Sequence, residues 1–315
     1  MSLPQQRLPG TTYFVTMGCD RRESRLVPTD ETNAAFAVAL EDARDRHGLQ
    51  LVAVSTNLNH YHAVVHDPRG AISDFLRDAH AVMARFGNAR DGARGQGFWD
   101  RQQADTQALG DADAVVSKVA YTIANPTTSF LVARPEMWAG IVTRVEDLGR
   151  WRGPVYERPA TFFRAAGRVS EVVELASELP PMVLDAYGIE GFQRRVRAEV
   201  ERRVAEAQRE AVEKGHGFMG NEAARSRSVW SRPNTPSPRT VGDEAEPRTR
   251  VAASRKTLLR AMLEQLLEFR RRHRFAWERY RAGLEAVFPA GTWFAWRFYG
   301  AERASGSAPW VGSTA

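Results

Sequence analysis

The sequence holds a single cysteine, Cys19, in 315 residues. It therefore has no intrachain disulfide framework and no cysteine-rich zinc site, and a reducing compartment fits. Lysine is almost as scarce, with Lys118, Lys214 and Lys256 the only lysines among 44 basic residues; the others are arginines. No apolar run approaches the ~20 residues of a membrane-spanning helix, which excludes that class. Residues 1–10 have no apolar signal core, so a cytoplasmic protein that is not exported is expected.

The composition is otherwise that of a globular chain, 43% hydrophobic and 26% charged, long enough to bury one large core or two modest ones. The net charge of +6 is unevenly spread. Residues 1–190 carry 20 basic and 24 acidic side chains, whereas residues 191–315 carry 24 and 14. Arginine suits bidentate phosphate contacts. A general arginine bias accounts for the same count, so charge alone does not decide for nucleic acid.

Residues 11–19, rich in β-branched and aromatic side chains, predict a strand. Thr29 or Asp30 caps a helix to about His47, with Gly48 as its stop. Strands follow over 49–57 and 60–66 around the turn Asn57-Leu58-Asn59. A second helix runs from Ser73 or Asp74 to about Asn88, and a glycine-rich link leads to a short strand over 98–103. Asp111 or Asp113 opens a third helix that should end at Asn125-Pro126, because proline disfavours helical backbone before it. The order β-α-β-β-α-β-α suits an α+β sandwich, a sheet with helices on one face.

Beyond residue 135 the pattern weakens. The expected divisions are 1–135, a mostly helical connection over 136–225, a Pro/Ser/Arg-rich linker over 226–253, and a basic helical region over 254–315. Within them, helices are expected near 169–178, over 189–214 and from about Ser254 to Val287. No internal repeat is present.

Two groups of residues carry chemistry. In His60-Tyr61-His62, alternation along a strand sends both imidazoles to one side, as chelation of one metal ion requires. A bare pair of this kind is more often two packed or surface histidines, and His66 and His80 read as structural. In the third helix, Val116, Val119, Ala120 and Ile123 form an apolar stripe. Tyr121 falls about 140° and Asn125 about 180° from Val116, with Lys118 near both.

Together these features resemble the single-tyrosine HUH transposases, and within them the REP-associated tyrosine transposases. That family typically shows Asn-x-His-hydrophobic-His, here Asn59 to Val65; a tryptophan-containing strand, here Phe98-Trp99-Asp100-Arg101; and Tyr-x-x-x-Asn-Pro, here Tyr121 to Pro126. Asn57-Leu58 replace the usual Met-Pro, Tyr61 replaces an aliphatic residue, and Thr127-Thr128-Ser129 replace small residues and glycine. None of these removes a group the reaction needs. The segment Phe288-Pro289-Ala290-Gly291-Thr292-Trp293 looks like the extension of long family members.

The resemblance implies a ferredoxin-like α+β catalytic sandwich followed by a mainly helical region. It implies a single-stranded DNA endonuclease and transposase acting beside palindromic hairpins through a 5′-phosphotyrosine. Tyr121 would be the nucleophile, assisted by Lys118. His60, His62 and Asn125 would hold Mg²⁺ or Mn²⁺. Arg270, Arg271, Arg272 and Arg274 would meet hairpin phosphates, and Trp99, Arg101 and the aromatics of 293–299 unpaired bases. A homodimer is compatible with it. Three alternatives stay open: a domesticated palindrome-binding protein that still nicks, a metal-dependent hydrolase of small substrates using His60 and His62, and a DNA-binding protein without metal.

Overall fold

The computed structural model describes residues 3–93, 95–101, 104–164, 167, 169–234 and 250–306. Its centre is a mixed α+β unit. Strands β1 (Thr11–Gly18), β2 (Gln50–Thr56), β3 (His60–Asp67), β4 (Asp105–Leu109) and β7 (Val251–Ala252) form one sheet in the order β2-β3-β1-β4-β7. The first four pair antiparallel, and β7 adds in parallel to β4. Between them run α1 (Asp30–His47), α2 (Ile72–Arg90) and α3 (Ala112–Thr128). Beyond lie a small hairpin of β5 (Val155–Glu157) and β6 (Val172–Glu174), then α4 (Pro181–Glu213), α5 (Asn221–Arg225), α6 (Lys256–Arg281) and α7 (Phe294–Tyr299). None of these helices is long and apolar enough to cross a membrane.

Local chemistry explains the boundaries. Thr29 accepts the Thr32 amide at 3.1 Å to open α1, and Gly48, at φ 68°, closes it in a left-handed cap. Asp67 receives the amides of Arg69, Ala71 and Ile72, so α2 starts at Ile72 and not at Ser73 or Asp74. Asp111 divides its carboxylate: one oxygen caps α3 through Ala114 N–H at 2.8 Å, while the other takes the amide and hydroxyl of Ser254 just before α6.

Helices cover both faces of the sheet, not one. Tyr13, Val15, Met17, Tyr61, Ala63 and Val65 pack against α1, α2 and α6. Val52, Val64 and Leu109 pack against α3 and α4. This follows from the long α4, whose Phe192, Val196, Val200 and Val204 form a buried stripe at helical spacing that needs its own apolar partner.

Five element predictions are corrected. Of the strand expected over 98–103, none forms over residues 98–101, and residues 102 and 103 lie outside the described residues. Trp99 makes only an isolated bridge to Cys19, and the edge strand is Asp105–Leu109. Phe98 and Trp99 are aromatic because they fill the core, not because they pair in a sheet. Helix α3 continues past Asn125-Pro126 to Thr128, since a proline in the last turn forfeits one backbone bond while Asn125, Pro126 and Thr127 are all buried there. The helix expected near 169–178 is instead β6, where β-branched Val172-Val173 pair with β5. The helix expected over 189–214 begins earlier, at Pro181, and turns at Gly188 with φ 58°. The last long helix stops at Arg281, short of Val287.

Candidate active site

The alternation of β3 sends His60 and His62 to the α3 face of the sheet while Tyr61 enters the opposite core. The imidazole centres of His60 and His62 lie 4.9 Å apart. Helix α3 packs across this face and delivers Asn125 and Tyr121 from successive turns. Asn125 Oδ1 sits 3.3 Å from His60 Nε2, and the Tyr121 ring lies 5.1 Å from the His62 ring. Two imidazoles, one amide oxygen and one phenol from distant parts of the chain thus share one spot.

The surroundings fix the imidazoles. Asn59 Oδ1 is 2.7 Å from His60 Nδ1, so this nitrogen carries the proton and Nε2 presents its lone pair to the Asn57 amide, 3.3 Å away. Thr16 Oγ1 on β1 lies 2.8 Å from His62 Nδ1 and holds that ring through a hydrogen bond. Phe14, also on β1, stacks on His62 with rings 5.3 Å apart and 16° from parallel. Burial, with a smaller contribution from Arg22, pushes the His60 pKa down to about 4, even though the Asn125 oxygen would accept a bond from the protonated ring. A neutral imidazole with an oriented lone pair is the form that ligates a metal.

Asn57 was not singled out as a site residue, yet it belongs to this cluster. Its amide donates to Asn125 Oδ1 at 2.5 Å and to Ser129 Oγ at 3.0 Å. Where the resembling family usually has methionine, this chain places an amide that aims the Asn125 oxygen. The spacing Asn57-Leu58-Asn59-His60 carried that signal, since a tight turn brings residues 57 and 60 together. Indeed Asn57 N–H donates to His60 O at 2.8 Å.

Two cations stand beside the Phe14–Tyr121 ring pair. Lys118 Nζ lies 4.8 Å above the Phe14 ring, with its pKa lowered by burial and then by Arg203. The Arg203 guanidinium, from α4, lies 5.7 Å from the Tyr121 ring centre and ion-pairs with Glu199 at 2.9 Å. Nothing in the sequence marked Arg203, because its proximity depends on how α4 packs on α3.

The other expected site residues lie elsewhere. Trp99 is 9% exposed, with its indole N–H donating to His80 O at 3.0 Å, so its ring is core packing. Arg101 is exposed. Arg271 and Arg272 both bind Glu268, at 2.7 and 2.6 Å, while Arg270 and Arg274 do not share that partner. The aromatics of 293–299 form α7 and its cap.

The donor set fits a divalent cation of modest affinity. Among the described residues no group of three or more His, Cys, Asp or Glu side chains could hold a metal ion. A cation here would rest on two neutral imidazoles and one amide oxygen, with no protein charge to balance it. Nitrogen ligands favour Mn²⁺ over Mg²⁺.

No family model matches the chain, and no curated protein matches it. Solved structures similar to it include the following two. A proposed transposase of Deinococcus radiodurans R1 is 20% identical, with 34% of this chain and 84% of that chain covered and a TM-score of 0.26. A REP-associated tyrosine transposase bound to a REP hairpin is 17% identical, with 54% of this chain and 99% of that chain covered and a TM-score of 0.40.

Proposed function

We propose that this chain is a transposase-like enzyme that nicks single-stranded DNA beside palindromic hairpins and rejoins it through a 5′-phosphotyrosine. The observation that carries the reading is the convergence of Tyr121, His62, His60 and Asn125 on one face of the sheet. The strand order β2-β3-β1-β4, with α1 and α2 on one side, supports the ferredoxin-like catalytic sandwich that the motif resemblance implies. The hairpin substrate rests on that resemblance.

His60, His62 and Asn125 would hold Mn²⁺ or Mg²⁺, which when bound would neutralise the scissile phosphate and polarise its phosphorus. The protein contributes the rest. Thr16 and Asn59 keep the imidazoles oriented, and Asn57 keeps the amide oxygen aimed at His60. The Tyr121 hydroxyl loses its proton, and its oxygen forms a bond to phosphorus in line with the departing 3′-oxygen. That oxygen takes up a proton, leaving a free 3′-hydroxyl and a DNA 5′-phosphate on Tyr121. Lys118, whose ammonium is disfavoured by burial, is suited to receive the phenol proton. Arg203 offsets charge as the phenolate forms. A phenolate is a better leaving group than an alkoxide, so a 3′-hydroxyl can reverse the step and transfer the strand.

The test is incubation of full-length protein with labelled single-stranded hairpin DNA from its genomic flanks, in Mn²⁺ or EDTA, beside Tyr121→Phe. A covalent adduct that requires metal and disappears in Tyr121→Phe is expected. Cleavage that survives in Tyr121→Phe would sink the reading, and so would DNA binding with no adduct.

A further inference from the structure

On the other face of the sheet from Tyr121 lies a groove of about 780 Å³ between α2 and the α6–α7 region. Its floor includes Met17 of β1, which points away from the His60–His62 side. The lining contains four arginines, two histidines and five aromatic side chains, with no aspartate or glutamate among the described residues that form it. Arg77 is held by Asp74 and Asp78, of which Asp74 also accepts the Trp293 indole N–H at 2.8 Å, and Arg7 by Thr106. Arg270 and Arg274 differ: neither has an ion-pair or hydrogen-bond partner among the described residues, and Arg270 Nε is a buried donor left without an acceptor.

Arg270 is half-buried, and an arginine so placed without a carboxylate is costly unless an anion completes it, while Arg274 beside it is exposed. Burial and nearby Arg250 both work against the charge on Arg270. Two turns on stands Trp277, its ring 5.9 Å from that of Tyr299, and beside them Trp293 and Phe294 present ring surface, with Phe294 and Tyr299 each 51% exposed. A monomeric protein seldom leaves such aromatics clustered beside free guanidinium groups. An anion alone needs no rings, and an apolar ligand needs no cations. A phosphate attached to a flat aromatic base uses both.

From this we infer that the groove is a second nucleotide-binding site, in which Arg270 and Arg274 take phosphate and Trp277, Trp293 and Tyr299 take bases. The site does not depend on chemistry at Tyr121. Its ligand is either unpaired nucleotides of a DNA strand or a free nucleotide, and the volume admits only a few nucleotides in either case. Arg271 and Arg272, committed to Glu268, take no part.

The test measures binding in EDTA, where no strand is cut. Short oligo(dT), the same oligomer with abasic sites, and dTMP are titrated into full-length protein, read by tryptophan fluorescence and by anisotropy of a labelled strand. Arg270→Gln/Arg274→Gln should weaken oligo(dT) binding by roughly tenfold and flatten the log-log salt dependence by about 1.4, the contribution of two phosphate contacts on a single strand. The abasic oligomer should bind the unmodified protein at least about fivefold more weakly than oligo(dT), from the loss of stacking. Binding of dTMP as tight as oligo(dT) would assign the groove to a free nucleotide, and tighter binding of the oligomer would assign it to a strand. His60→Ala, on the nicking face, serves as the separating variant: the tenfold effect must persist in its background.

Equal affinity and salt slope in the arginine variant would overturn the inference. So would abasic DNA binding as well as oligo(dT), which would mark a general anionic surface. Neither result bears on whether Tyr121 forms an adduct. Circular dichroism of Arg270→Gln/Arg274→Gln should match the parent, since neither side chain holds an internal partner.

Discussion

Arg203 places its guanidinium 5.7 Å from the centre of the Tyr121 ring, although the two belong to different helices of the α3–α4 layer. A cation at this distance stabilises the phenolate more than the phenol. Arg203→Ala should slow adduct formation on hairpin DNA by roughly tenfold, equivalent to about 1.4 kcal/mol. Metal affinity should not change, because Arg203 touches no ligand. Single-turnover kinetics at saturating Mn²⁺, beside a metal titration, separate the two. A loss of metal affinity with unchanged kinetics would contradict the role.

The residues behind the imidazoles can be probed without touching them. Thr16→Val removes the hydroxyl at His62 Nδ1, and Asn59→Ala removes the oxygen at His60 Nδ1. Each should weaken Mn²⁺ binding by about 10- to 100-fold, the usual cost of losing an orienting partner. Cleavage should recover at high Mn²⁺ in both variants. Titration followed by Mn²⁺ electron paramagnetic resonance would check this, and unaltered affinity in both would argue against metal at this site.

Stability should fall as the solution is acidified through the histidine range. Burial lowers the pKa of His66 and His80 to about 4 in the folded chain, against an ordinary ~6.5 when unfolded. Folded-state values below unfolded ones mean that the unfolded chain binds more protons between these limits. Stability is therefore full above about pH 6.5 and declines towards pH 4, by at most about 1.4 kcal/mol per pH unit for each group. His80→Gln leaves an acceptor for the Tyr61 hydroxyl, which lies 2.8 Å from His80 Nε2. Its urea midpoint should depend less on pH between 7 and 5 than that of the parent. An unchanged slope would remove His80 from the explanation.

Gly87 sits where α2 meets the Phe98 ring. A Cβ built there would lie 2.0 Å from Phe98 Cε2, and the Arg25 guanidinium stacks on that ring 4.8 Å from its centre. Alanine gains about 1 kcal/mol of helix propensity over glycine, while forcing a packed ring aside costs about 1–3 kcal/mol. Overpacking should win, so Gly87→Ala is expected to destabilise by about 1 kcal/mol in chemical denaturation. A gain in stability would show that Phe98 moves aside freely.

Where the sequence was legible, a short-range period did the work. Two-residue alternation put His60 and His62 together, and the helical turn put Tyr121 and Asn125 on one side of α3. Thr29, Gly48 and Asp111 were readable because a cap is chemistry within four residues. The errors share the opposite cause. Phe98 and Trp99 have strand-like composition, but their rings pack on Tyr61, His80 and Arg25, contacts that local pattern does not encode. Val172-Val173 were read into a helix because their partner strand lies beyond a long loop. Arg203 was invisible for the same reason, its role existing only once α4 has found α3.

The shared carboxylate of Asp111 has a mechanical meaning. One oxygen holds the first turn of the helix that carries Tyr121, and the other holds Ser254 at the entry to the helix that lines the groove on the far face. The two helices are pinned to a single point like two levers on one fulcrum. A displacement of α6 that leaves the start of α3 in place must therefore break the bonds from Ser254 and Arg255 to Asp111.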